Sequence, residues 1–67
     1  MTIIFNDQPT KLPNDYMTLA DLAKWKNVPE QGSAIAVNDK LVKKDLWSVT
    51  PLKEMDQITV ITAAFGG

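Results

Sequence analysis

The 67 residues predict an α+β domain, a mixed five-stranded sheet with one main helix packed on one face. Three observations carry that prediction. Short β-branched and aromatic runs bounded by turn residues stand near both ends of the chain, and a single stretch with helical spacing lies between them. The length allows one small core, since a chain of this size buries only about 60% of the surface its unfolded form exposes.

The first run, "TIIF", suits a strand. Asn6-Asp7-Gln8 reads as a turn into a weaker strand around Thr10 to Leu12, with Pro9 at an edge or strand start, so a hairpin is expected. "NDYMTLADLAKWKN" carries the helix signal: Thr18 is placed as N-cap, with Asp21 three residues on to complete a capping box. Leu19, Leu22 and Ala23 form one apolar stripe, while Asp21 and Lys24 point to water. Helical spacing leaves Trp25 open between helix-end core and an exposed patch. Asn27, Pro29 and Gly32 end the helix.

"SAIAVN" then resumes as a strand that turns at Asn38-Asp39-Lys40 into "LVK". "KDLWSVTPLKEM" is expected to be mostly irregular, with one helical turn near Asp45 to Trp47. In "DQITVITAA", Ile58, Val60 and Thr62 alternate with Thr59, Ile61 and Ala63, which fits a strand with one face on the helix. Five strands in this order, the last lying between the first and third and parallel to the first, make a β-grasp sheet. Its core is expected to include Ile3, Phe5, Leu19, Leu22, Val37, Ile58 and Val60, with Met1, Met17 and Met55 filling irregular gaps.

Composition removes several classes of function. With no cysteine and no histidine, a disulfide, a Cys/His zinc site or a histidine acid-base pair is excluded. Seven Lys/Arg against eight Asp/Glu give a net charge of −1, with no basic stripe for nucleic acid. The apolar runs fall far short of the roughly 18 residues that span a bilayer, and "MTIIFND" lacks the basic head of a signal peptide, so a cytoplasmic location is expected. Lys40, Lys43 and Lys44 read as a solvated face. Asn6-Asp7 and Asn38-Asp39 read as turn formers and not ligands.

"IIFND", "AVNDKLVKKDLW" and the terminal "MDQITVITAAFGG", in a chain of this length, resemble the ThiS family, the ubiquitin-like sulfur carriers of thiamine biosynthesis. Asn38 and Val42 fall on the family's "VN" and following valine, Trp47 on its tryptophan, and Asp56 on the aspartate opening its last strand. Three places depart from the pattern. Lys43-Lys44 replace Pro-Arg, and Met55 replaces a glycine, so that the turn before Asp56 is expected to find another geometry. Phe65 is bulkier than the usual residue before the glycines.

The resemblance implies a β-grasp domain over 1–63 and a reactive tail over 64–67. The Gly67 carboxylate would be adenylated by an E1-like adenylyltransferase (ThiF-type) using ATP, then converted to a thiocarboxylate with sulfur from a donor such as a cysteine desulfurase. A thiazole synthase (ThiG-type) would take the sulfur. The protein would thus be a carrier and no enzyme, with no cofactor or metal bound. Phe65 and Gly66 would give the tail access to partner active sites, Gly66 and Gly67 having no Cβ to obstruct a narrow channel. Trp47 and Asp56 are possible partner contacts, although Trp47 also suits a core anchor, and Asp56, like Glu54, suits turn chemistry. The alternatives are a molybdopterin-type sulfur carrier, a ubiquitin-like modifier joined to a lysine amine, and a β-grasp binding module whose tail has no part.

Overall fold

Two hairpins with the same turn chemistry frame the sheet. β1 (Thr2–Phe5) and β2 (Gln8–Lys11) are joined by Asn6 and Asp7 alone, and β3 (Ser33–Val37) and β4 (Lys40–Val42) by Asn38 and Asp39 alone. All four linking residues are left-handed, with φ of 46°, 67°, 51° and 69°. That is the pattern of the two-residue turn whose twist matches the flanking strands, and Asn and Asp tolerate it better than other residues with a Cβ. Because two residues suffice, Gln8 already pairs with Phe5, and β2 begins and ends earlier than the sequence suggests. Pro9 lies opposite Ile4 on an edge strand, where a missing N–H leaves no neighbour unpaired.

These positions come from a computed structural model that describes residues 1–29 and 31–62. The expected domain limit at 63/64, the place of Ala63 on the last strand, and Phe65, Gly66 and Gly67 lie outside the described residues.

The helix α1 (Leu19–Trp25) starts as its sequence dictates. The Thr18 side chain accepts from the Asp21 backbone N–H at 3.2 Å, and the Asp21 carboxylate accepts from the Thr18 N–H at 2.9 Å. At the other end Asn27 is left-handed, with φ of 56°. Its N–H donates to the Lys24 carbonyl at 3.2 Å, and the Val28 N–H donates to Ala23 at 2.8 Å, so Asn27 closes the helix as glycine commonly does. Leu19, Leu22 and Ala23 are buried, as their spacing predicts.

The sheet order is β2-β1-β5-β3-β4, with β5 (Gln57–Thr62) parallel to β1 and antiparallel to β3. This is the β-grasp order. Ile58 is buried on the helix side and Val60 half-buried beside it, while Thr59 and Ile61 face away. Ile3, Leu19, Leu22 and Ile58 form the core as expected, whereas Phe5, Val37 and Val60 pack at its margin, half-buried. Leu12, Met17, Ala23, Ile35, Trp47 and Leu52 complete it.

The helical turn expected near Asp45 to Trp47 is present and extends to a 3-10 helix over Lys44–Val49, so the segment after β4 is more regular than its composition suggests. Its one buried side chain is Trp47. The turn before β5 corrects a second expectation. Met55 adopts φ of 66°, a left-handed geometry that glycine takes without strain, so the turn holds a residue with a Cβ in a conformation suited to glycine. Its side chain is 56% exposed and fills no gap in the core, unlike Met17, which is buried, and Met1, which packs at the core margin.

Candidate functional site

β5 leads directly into the tail, and the fold holds it from both sides. On the β3 side the register runs from Val37↔Ile58 to Ser33↔Thr62, the last described residue. On the β1 side pairing covers only Ile4↔Gln57 and Phe5↔Ile58, because β1 ends there. The first asparagine of each hairpin turn reaches across to extend this hold. Asn38 Oδ1 accepts from the Gln57 N–H at 3.0 Å, and Asn6 Oδ1 accepts from the Val60 N–H at 2.8 Å. Both residues are turn formers as the sequence predicts, and both also fasten the strand that carries the tail. Their sequence spacing gives no sign of this, since Asn6 and Val60 are 54 residues apart.

Trp47 and Asp56 are structural in their contacts. Trp47 is 4% exposed, and its indole N–H donates to the Val42 carbonyl at 3.0 Å, which makes it the core anchor between β4 and the 3-10 helix. Asp56 is 8% exposed and accepts from the Lys53 N–H at 2.8 Å and from Asn38 Nδ2 at 3.0 Å. It fixes the turn before β5 to the β3–β4 turn. Glu54 accepts from the Thr2 N–H, so it too is engaged by the chain's own backbone. Lys40, Lys43 and Lys44 are exposed. Phe65, Gly66 and Gly67 follow Thr62 in sequence and lie outside the described residues.

The sheet face turned away from α1 is open and partly apolar. Alternation along the paired strands puts Ile4, Ala34, Ala36, Leu41 and Ile61 on that side, with Ala36 opposite Leu41 and Ala34 opposite Ile61. Leu41 is 72% exposed and Ile61 56% exposed, so this face has no covering element among the described residues. On the opposite face, Trp25 resolves as an exposed ring at the helix end. The Lys26 ammonium lies 4.9 Å from its centroid and 5.2 Å from that of Phe5, within cation–π range of both.

Among the described residues no group of three or more acidic side chains is placed to hold a metal ion, and no helix is long and apolar enough to cross a membrane.

Comparison with known proteins agrees with the fold and extends to the tail. The sequence model of the ThiS family matches residues 3–67. The sulfur carrier protein ThiS of Escherichia coli (strain K12) is 28% identical over 67 residues, which cover the whole of both chains. The crystal structure of the thiamine biosynthesis protein ThiS from Geobacter metallireducens superposes with a TM-score of 0.85 at 16% identity, again over all of both chains. A solution structure of a thiamine biosynthesis protein from the same organism gives 0.83 at 16% identity, covering all of this chain and 88% of that one. At that identity the two structures bear on the fold alone.

Proposed function

The chain belongs to the ThiS family, and we propose that it carries sulfur on the carboxyl group of Gly67 for thiazole formation in thiamine biosynthesis. The observation that carries this reading is the extent of the family match, which runs through residue 67 and so includes the terminal Gly66-Gly67. The anchored β5 supports it, because it gives the tail a fixed root.

The chemistry starts from a poor electrophile. A carboxylate oxygen of Gly67 attacks the α-phosphorus of ATP and pyrophosphate leaves, giving an acyl-adenylate. Sulfur at the oxidation level of sulfide then adds to the carbonyl carbon and AMP leaves, giving the thiocarboxylate. A persulfide donor, as on a cysteine desulfurase, delivers sulfur in a more oxidised form, and a thiol supplies the two electrons. Positioning and electrostatic stabilisation of these steps belong to an E1-like adenylyltransferase and a thiazole synthase, so the carrier is their co-substrate and not an enzyme. ATP is bound by the adenylating partner and not by the carrier. A cytoplasmic location is part of the same reading.

The open sheet face beside β5 gives a partner something to hold while the tail enters its active site. Ile61 stands one residue before Thr62, so a surface centred on Leu41 and Ile61 is continuous with the tail's root. Phe65 and Gly66 lie between that root and the reacting carbon. Trp47 and Asp56 act on this surface indirectly, by holding the elements behind it.

The test is acceptor choice. The thiocarboxylate form, presented separately to thiazole synthase and to molybdopterin synthase, is expected to give up its sulfur to the first. Transfer only to the second would reassign the protein to molybdopterin synthesis. Attachment of Gly67 to a lysine amine would make it a modifier.

A further inference from the structure

We infer that Asn6 is a positioning residue for the tail: its side-chain oxygen takes the place of the strand carbonyl that β1 would present there, and so holds β5, the root of the tail, on the side that β1 vacates. This rests on the carrier reading above and adds a residue to it.

The geometry is specific. The Asn6 N–H makes the final backbone bond of the β1–β5 ladder, to the Ile58 carbonyl at 2.9 Å, and the chain then turns away through Asp7. β5 runs on for four residues past Ile58, to Thr62, with β3 alone beside it in the backbone register. The Val60 N–H on the vacated side would meet only water. Asn6 Oδ1 meets it instead, at 2.8 Å, two residues before Thr62.

The turn alone does not require this side chain. At φ of 46°, glycine, asparagine and aspartate all fit position 6, and glycine fits with least strain. Only the latter two carry an oxygen that can reach Val60. The distinction matters because the five residues after Thr62 span at most about 17 Å when extended. A swing of about 20° at the root would displace the end of that arm by about 6 Å. A root held on both sides leaves β5 itself with less freedom to lose on docking, which lowers the cost of binding and leaves the chemical step untouched.

Asn6→Gly and Asn6→Asp separate this role from turn formation, since both keep the left-handed turn and only the second keeps an acceptor. Amide exchange at Val60 and steady-state pyrophosphate release with the adenylyltransferase are measured for both variants and for the unaltered protein. The expected result for Asn6→Gly is faster exchange at Val60, with KM for the carrier raised roughly 3- to 10-fold, the factor one net hydrogen bond represents, and kcat unchanged. Asn6→Asp is expected to restore both. An Asn6→Gly variant with the original KM, or two variants equally impaired, overturns the inference while the carrier reading stands. Absence of pyrophosphate release from the unaltered protein would remove the carrier reading and this one with it.

Discussion

Met55 shows how a single residue can hold a shape that its side chain opposes. A left-handed φ at a residue with a Cβ costs about 1–2 kcal/mol, and the exposed Met55 side chain recovers little of that by packing. Met55→Gly is therefore expected to stabilise the fold by about 1 kcal/mol after allowing for the greater freedom of an unfolded glycine, read as a raised denaturation midpoint. Asp21 gives a second residue-scale outcome. Hydrogen bonds from the Thr18 backbone and then its side chain hold the Asp21 carboxyl below its ordinary value of 3.8. A lowered folded value means the cap's contribution is complete above 3.8 and lost as pH falls through the lowered value. Thermal stability of the unaltered protein should fall more steeply than that of Asp21→Asn as pH drops below 3.8, the two curves converging in acid. The Thr18–Asp21 cap was legible in the sequence because its partners are three residues apart. The reach of Asn6 to Val60 was not, because it depends on which strands become neighbours.

Among the elements, the helix and β5 follow from apolar spacing, and both turn pairs follow from Asn-Asp. The exact start of β2 does not, since it depends on the linking residues being two in number, a matter of backbone geometry. The sequence shows one helical turn near Asp45 to Trp47 but not the full length of the 3-10 helix, because its one buried side chain is Trp47 and one buried position sets no period. Sequence does not separate core from contact for Trp47, and its burial and its bond to the Val42 carbonyl decide for core. At this scale the open sheet face makes a prediction of its own. Leu41→Asp places a charge on a largely exposed position of an edge strand, so stability should change by no more than about 0.5 kcal/mol, whereas Ile61→Asp, in a central strand, should cost about 1 kcal/mol. If that face docks the adenylating partner, kcat/KM for adenylation should drop roughly tenfold or more, since burying an unpaired charge at an interface costs at least about 1.4 kcal/mol. Unchanged kcat/KM in both variants would move docking elsewhere.

The whole molecule is organised around its last strand. β5 lies between β1 and β3, carries Ile58 into the core, and is fastened by Asn38 at one end and Asn6 toward the other. A single domain of this size has limited stability to draw on, so placing the functional strand at the centre of the sheet gives the tail the most secure root available. The pattern of strands and helix pointed to the β-grasp order, and the family resemblance implied Gly67 as the reacting group. What only the structure supplied is how the support is built, by side chains from two turns far away in sequence. The central claim is chemical, and one measurement addresses it directly. The intact mass of the protein is recorded after incubation with ATP, the adenylyltransferase and a sulfur donor, and fragmentation locates any change. The account predicts a mass gain equal to exchange of one oxygen for sulfur, located at Gly67 and absent when Gly67 is deleted. An unchanged mass under conditions that convert the Escherichia coli relative, or a sulfur atom located anywhere else in the chain, would contradict it.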